Sequence, residues 1–306
     1  MAKRIVMTDE ERAERRKQEQ QLTEQAVAQL RCSAGWQRWL TVRARVGLRR
    51  YSLRNQLMIA LQDSHATHVA GFRAWLGLGY CVTRGETSHI RVWAPCPPSK
   101  KKLQAWRAAG AIATDRPRTY FRLEAVFSQA QVEPLPPPAE PAPLDPPLAE
   151  VQGDSLAWAS EPLHELATQL GYDVVYEPLA HGHGGSCSPA AKRVTINSDQ
   201  AVNAQVDVLC HELAHVLVRV DRHDDDPQLG YAEEELVAES VAHLAVSFVG
   251  LDSSASAVPY LASWAESAAQ DTFERIAELV DRLARRLENA LGAEQADQPA
   301  AATAAA

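Results

Sequence analysis

A run of proline residues near the middle of the chain limits its fold more than any other feature of the sequence. Residues 132–150, VEPLPPPAEPAPLDPPLAE, contain eight prolines. Because proline lacks a backbone N–H and fixes φ, such a run favours an extended polyproline conformation over a packed helix or strand. We therefore predict a semi-rigid linker over 132–150 with a folded domain on each side, and a chain of 306 residues is long enough for two ordinary domains.

The net charge of −8 conceals two halves of opposite sign. Residues 1–131 contain 23 Lys and Arg against 10 Asp and Glu, so they carry +13. The rest of the chain contains 8 against 29, which gives −21. Opposite charges indicate different partners for the two halves.

The composition favours a soluble protein of the cytoplasm. No run of about 18 apolar residues that could span a membrane is present, and the first residues lack the apolar core of a signal peptide. The cysteines form no C-x-x-C pair, so we expect reduced thiols and neither a metal ribbon nor a redox site. We expect a cytoplasmic protein without a membrane partner.

Apolar periodicity predicts an α+β fold. Thr8 to about Arg31 is either a charged, exposed helix that begins with a capping box of Thr8 and Glu11, or a solvated leader. From Trp36 to Phe127 the pattern indicates helices as far as about Gln62, then mixed strands and helices. After the linker we predict helices at about 156–170, 204–218, 233–249 and 271–291, strands at 173–176 and 193–197, and a disordered tail over 292–306. The second domain therefore covers 151–291, and its strand 193–197 alternates like an exposed edge strand.

One predicted helix contains an H-E-x-x-H motif. His211 and His215 lie one turn apart on one face, so both imidazoles can bind one ion, with Glu212 beside them as a general base. Glu235, twenty residues after His215, can complete a His2Glu site that leaves one position for water. Glu239, one turn further on, can accept the other ring N–H of a ligand histidine. We predict one Zn²⁺ per chain.

This ligand set predicts peptide hydrolysis. Zinc would lower the pKa of a bound water to about 7, and Glu212 would take its proton as the water attacks a polarised carbonyl. An extended substrate could pair with the strand at 193–197. Two alternatives remain open: Glu233 or Glu234 is the carboxylate ligand, or the histidines are buried structural residues. Tyr231 is a further candidate for stabilising an oxyanion.

The basic first half is also rich in aromatic residues. It holds 11 of the 19 aromatic residues of the chain, and cations with flat rings suit single-stranded nucleic acid. A basic folded surface without this role explains the composition equally well, and Trp36, Trp39 and Trp75 are the better candidates for the core. Trp75 is nevertheless kept among the candidate DNA-binding residues. These are Arg45, Arg49, Arg50, Tyr51, Arg54, Asn55, Arg73, Trp75 and Arg84.

Several short segments resemble the ArdC-type antirestriction proteins, which join a single-stranded-DNA-binding domain to a zincin-like metallopeptidase domain. In the first half they are YSLRN at 51–55 with Gln62, ATHVAGFRAWLGLGYCVTRGE at 66–86, APCP at 94–97, and Val126-Phe127 with Gln129. Ser128 departs from the family, in which an acidic residue is usual at this position.

In the second half, HELAH at 211–215 and ELVAES at 235–240 also resemble the related ImmA/IrrE-type zincin peptidases, which are linked to repressor cleavage in bacteria. The resemblance implies protection of incoming mobile DNA, with the first domain on single strands and the second cutting an unknown protein or peptide. Two alternatives are a DNA-shielding protein with a non-catalytic metal, and a regulatory protease that cleaves a repressor and uses its basic domain as an adaptor.

Overall fold

The structure is a computed structural model in which residues 9–45, 47–112, 116–137, 140–142, 144, 151–180, 182–251 and 270–292 are described. Helices and three small sheets alternate along these residues, so the predicted α+β class is confirmed. No helix among the described residues is both long enough and apolar enough to cross a membrane.

Five helices belong to the first half. They are α1 (Asp9–Ala28), α2 (Ser33–Arg43), α3 (Leu53–Gln62), α4 (Phe72–Gly77) and α5 (Lys100–Ala108). The predicted helix before Trp36 is present as α1 and a 3-10 turn at Gln29–Arg31, but Thr8 and its capping box lie outside the described residues. The end of α1 is packed rather than solvated, because Ala26 and Val27 are buried.

Five strands complete the first half. They are β1 (Val69–Ala70), β2 (Tyr80–Val82), β3 (Ile90–Cys96), β4 (Tyr120–Ser128) and β5 (Val132–Pro134). β4 lies between β1 and β3 and is antiparallel to both, while β2 and β5 form a separate antiparallel pair. The first run of helices therefore ends at Gln62, and mixed strands and helices follow, as the periodicity predicts.

The proline-rich segment is not a free linker over its whole length, which corrects the sequence-based prediction. Its first residues form β5, and the N–H of Leu135 donates to the carbonyl of Gly79 at 2.8 Å. Ala142 N–H donates to the Leu78 carbonyl at 3.0 Å, so the chain returns to the same corner. Gly79 has φ +85°, and a Cβ there would lie 2.8 Å from Cα of Pro141, so glycine is required at this close approach.

Among its described residues, the second half contains four helices and one mixed sheet. The helices are α6 (Ser160–Gln169), α7 (Val202–Val220), α8 (Tyr231–Phe248) and α9 (Gln270–Ala290), and the strands are β6 (Asp173–Glu177), β7 (Gly185–Ser188) and β8 (Arg193–Asn197). β8 lies in the centre, parallel to β6 and antiparallel to β7. The prediction that residues 193–197 form an exposed edge is therefore wrong, and the edge strand beside α7 is β7.

The two halves share one hydrophobic core. Trp36, Trp39 and Leu57 of the first half belong to the same buried cluster as Leu244 and Phe273 of the second. The indole N–H of Trp36 donates to Oγ of Ser240 on α8 at 3.2 Å. The predicted core positions Trp36, Trp39 and Trp75 are all fully buried. The first half is thus packed directly against the helices that carry the metal motif.

Candidate metal centre

Helices α7 and α8 bring the predicted metal ligands together. Both helices are apolar over much of their surface and pack along each other, with Leu213, Val216 and Val241 in the core between them. The i and i+4 spacing places His211 and His215 on the face of α7 that meets the first turns of α8. Their rings lie 4.9 Å apart, centroid to centroid, at 77°.

One carboxylate of α8 faces both imidazoles. Oε2 of Glu235 lies 3.8 Å from Nε2 of His211, and Oε1 lies 3.6 Å from Nε2 of His215. One donor atom from each of the three residues lies within 4.8 Å of the others. Tetrahedral ligands about 2.1 Å from a zinc ion are about 3.4 Å apart, so a small inward movement of the side chains would suit a metal.

Glu234 contacts His215 at Nδ1, the ring nitrogen that does not face Glu235. Its Oε1 lies 2.9 Å from Nδ1 of His215 and accepts a hydrogen bond from the Nδ1–H tautomer, in which Nε2 is the free nitrogen and lies towards Glu235. Arg219 forms an ion pair with the same Glu234 oxygen and donates to the backbone carbonyl of His215 at 2.9 Å. Sequence reasoning named Glu234 as an alternative ligand and did not single out Arg219, although Arg219 lies one helical turn after His215.

The predicted partner of the first histidine is more distant. Oε1 of Glu239 lies 3.7 Å from Nδ1 of His211, which is longer than a hydrogen bond. Burial raises the pKa of Glu239, with the charges of Asp207 and Glu235 acting in the same direction. The side chain of Tyr231 is exposed at the start of α8, and the charge of Glu235 and a hydrogen bond to it raise the pKa of the phenol.

Glu212 lies beside the three candidate ligands and is buried. Burial, with the charge of Glu235 acting in the same direction and His215 and Arg219 opposing it, raises the pKa of Glu212 to about 7. Burial also lowers the pKa of His211, and the neighbouring His215 adds to this effect. These shifts favour the neutral imidazole that a metal requires, and a bound cation would restore the charged form of Glu212.

Strand β7 crosses α7 next to Glu212. A Cβ at Gly185 would lie 2.7 Å from a Val208 methyl group, 2.8 Å from the Thr195 carbonyl oxygen and 3.3 Å from Cγ of Glu212. Only glycine allows this approach, so the strand passes directly over the motif. Sequence reasoning assigned the substrate-pairing role to β8 instead, because the GSCS sequence of β7 lacks the alternation of a typical strand.

The nine candidate DNA-binding residues fall into two groups. The side chains of Arg49, Asn55 and Trp75 are buried, so these three predictions are wrong. Arg49 stacks over the Phe248 ring at 4.5 Å and lies 3.7 Å from Glu288. Buried side chains cannot stack on bases or contact phosphates. The half-buried or exposed members are Arg45, Arg50, Tyr51, Arg54, Arg73 and Arg84.

The buried members of this group bind within the protein. Asn55 makes two hydrogen bonds with the backbone of Trp93, at 2.8 and 2.9 Å, and so fixes β3 to α3. The indole N–H of Trp75 donates to the Phe127 carbonyl at 2.9 Å. Of the remaining group, Tyr51 donates to the Val69 carbonyl, also at 2.9 Å. The first-half segments that resemble the ArdC-type proteins therefore have structural roles in addition to any role in binding DNA.

Two family matches cover most of the chain. Residues 16–127 match the N-terminal domain of the anti-restriction factor ArdC, and residues 167–295 match the IrrE N-terminal-like domain of the peptidase M78 family. An uncharacterized Bacillus anthracis protein, pXO2-81, is 23% identical over 254 residues, which is 74% of this chain. The chain spans 42% of the length of that relative.

The fold is shared with a solved structure. The Mn(II)-bound crystal structure of the antirestriction protein ArdC from the R388 plasmid matches with a TM-score of 0.51 and 19% sequence identity, over 89% of this chain and 97% of that one. The metal-free structure of ArdC from the same plasmid matches with a TM-score of 0.47 and 17% identity, over 79% and 85%. With an ArdC N-terminal domain followed by an IrrE-like peptidase M78 domain, the chain is an ArdC-type protein.

Proposed function

We propose that this protein is an antirestriction-type protein that binds single-stranded DNA through its first half and hydrolyses peptide bonds at a metal centre in its second. The observation that carries the enzymatic part is the convergence of His211, His215 and Glu235, with Glu212 buried beside them. Each of these side chains comes from one of two adjacent helices, so the scaffold holds them rigidly.

The donor set fits a divalent cation with an open position. Two imidazole nitrogens and one carboxylate oxygen make up the group among the described residues, and three protein ligands are typical of catalytic zinc. The carboxylate of Glu234 behind His215 is the kind of support that metal-binding histidines usually have. Zinc is the ion we propose, and the ArdC crystal structure described as Mn(II)-bound makes manganese the first alternative.

A cation at these donors would supply Lewis acidity towards a scissile carbonyl and towards water. Glu212 would accept a proton from the attacking water and pass it to the leaving amine. Glu234 would keep the Nδ1 proton on His215, so that Nε2 stays available. Tyr231, with its exposed phenol near Glu235, would stabilise the oxyanion.

The substrate we propose is an extended peptide paired with the outer edge of β7. The N–H of Asn197 donates to the Gly184 carbonyl at 2.8 Å, and antiparallel pairing alternates, so the N–H groups of Gly185 and Cys187 point away from β8. No other strand among the described residues pairs with this edge. A peptide added there would run past Glu212, next to Gly185.

The DNA-binding part rests on charge and on the related protein. The first half carries +13, which suits a polyanion. The family model that it matches and the R388 structure are both described as antirestriction proteins. These descriptions also favour a second candidate function, in which the protein shields DNA and its metal is not catalytic. The buried Glu212 beside the donors argues for catalysis, because a structural metal has no use for a carboxylate base.

Metal content and hydrolysis of a mixed protein library, measured on the full chain, test the enzymatic part. We expect one zinc per chain, lost in Glu235→Ala and kept in Glu212→Gln, with cleavage absent from both variants. Glu233→Gln is the matched control, because it neutralises a carboxylate in the first turn of α8 that lies outside the group of donors. If wild type binds one zinc but does not cleave, the shielding function is favoured; if wild type binds no metal, the metallopeptidase proposal fails.

A further inference from the structure

We propose that single-stranded DNA binds along residues 97–112 and 116–122, named here the basic arm, which lie beyond the buried parts of β3 and β4. The inference rests on the proposed function and assigns a surface to it. The whole segment 97–122 contains seven Lys or Arg residues and one acidic residue, Asp115, so its net charge is +6. None of these cations belongs to the DNA-binding set expected from the sequence.

The lysines of the arm do not stabilise α5. Lys100, Lys101 and Lys102 occupy the first turn of α5, where the helix dipole disfavours positive charge. They are exposed, and no acidic side chain of the described residues lies within ion-pair distance of them. α5 has no buried residue, so its cationic surface is open to a ligand.

Two exposed aromatic rings lie where the arm rejoins the sheet. Tyr120 and Phe121 are 62% and 60% exposed, although large rings are usually covered by protein. They are consecutive in β4, so they project from opposite faces of the hairpin, and Arg122, which forms an ion pair with Glu124, follows them. Largely exposed rings close to cations suit unstacked bases, which a duplex does not offer.

The cations and the rings lie close enough together to contact one DNA strand. Cys96 pairs with Tyr120 across the hairpin, and Lys100 follows Cys96 by four residues, which span at most about 14 Å. Arg116 and Arg118, both exposed, precede Tyr120 by four and two residues. Phosphates would contact α5 and these arginines, while bases would stack on Tyr120 and Phe121.

The root of the hairpin is buried, whereas its outer residues are exposed. Ile90, Val92, Leu123 and Val126 are buried, and the exposed residues begin beyond them. Substitutions at the tip therefore leave the core intact, and unchanged circular dichroism and melting temperature would verify this for each variant. A loss of binding can then be assigned to the surface.

Fluorescence anisotropy of a labelled 20-nucleotide oligo-dT, titrated with the full chain at several salt concentrations, tests the assignment. We expect K100A/K101A/K102A to weaken binding about tenfold or more, and to reduce the slope of log K against log salt by about 2, from about 0.7 per lost contact. The matched control R15A/R16A/K17A removes three exposed cations of α1, and we expect less than a twofold change.

The rings are tested separately with Y120A/F121A. We expect binding of oligo-dT to weaken about tenfold with the salt slope unchanged, and binding of a duplex of equal length to stay the same. If wild type binds oligo-dT while both arm variants bind like wild type, or if the α1 control loses as much as the lysine variant, the arm is not the site and DNA binding itself stands. If wild type does not bind oligo-dT, the proposed DNA-binding function fails with it.

Discussion

Arg43 of α2 and Glu288 of α9 form a two-pronged ion pair, with N–O distances of 2.7 and 3.1 Å, inside the interface between the two halves. Their side chains are 0% and 2% exposed, and Asp281 accepts from the third nitrogen of Arg43. Burial alone would lower the pKa of the guanidinium, but the charges of Glu288 and Asp281 raise it. The pair therefore stays ionised although it is removed from water.

We predict that Arg43→Met lowers the free energy of unfolding by about 3–5 kcal/mol, because it leaves the carboxylate of Glu288 buried and short of its partner. Urea denaturation followed by circular dichroism measures the change. The double variant R43M/E288M removes both charges and should recover part of the loss, because the buried Arg49 also loses Glu288 but keeps its contact with the Phe248 ring. A double variant no more stable than Arg43→Met would contradict this account of the interface.

The shared core leads to a prediction on cooperativity. Because Trp36 and Trp39 are buried together with Leu244 and Phe273, unfolding either half exposes core residues of the other. We expect a single calorimetric transition for the full chain, with equal calorimetric and van't Hoff enthalpies. Two transitions, or a cooperatively folded fragment of residues 1–131, would show that the halves are independent domains.

The sequence predicts the parts of this molecule that depend on local spacing. His211 and His215 share a helix face because they are four residues apart, and the structure places Glu235 opposite both. Helix limits agree within a few residues, and the strand at 193–197 agrees fully. Periodicity is a local property, so a single sequence is enough to detect it.

The parts that depend on distant partners were not predictable. Arg49 lies in a basic stretch and suggests a DNA contact, but its partners Phe248 and Glu288 are about 200 residues away in the sequence. Likewise, RVTIN has the alternation of an edge strand, yet Thr195 and Asn197 are buried because strands pair with β8 on both sides. Pairing and interfaces are properties of the whole fold, which local patterns do not contain.

The hydrogen bond from His215 to Glu234 leads to a prediction on metal affinity. Glu234→Ala removes the acceptor that fixes the ring, so we expect the zinc dissociation constant to rise about 10- to 100-fold. Competition with a chromophoric chelator measures it. Glu233→Ala, which removes a carboxylate from the preceding position, should change the constant less than about threefold. Equal effects of the two variants would indicate that only the charge of the helix start matters.

Arg219 should also influence the affinity for zinc, through its contact with Glu234. Arg219→Ala removes the ion pair that positions Glu234 and a hydrogen bond to the His215 carbonyl, so we expect a smaller rise, of about 3- to 10-fold. In the double variant with Glu234→Ala, the Arg219 substitution should add little, because its target is gone. Additive effects on the logarithm of the dissociation constant would show that Arg219 acts independently of Glu234.

The open edge of β7 gives the last prediction. Cys187→Pro removes an N–H that points away from β8, so the ladder within the protein is kept while a donor to an added strand is lost. We expect cleavage of an extended peptide to fall at least tenfold through KM, with zinc affinity unchanged. Cys187→Ser keeps the N–H and should retain wild-type KM. If the two variants have the same KM, or if Cys187→Pro loses zinc as well, the peptide does not pair with β7 and the substrate enters along another surface.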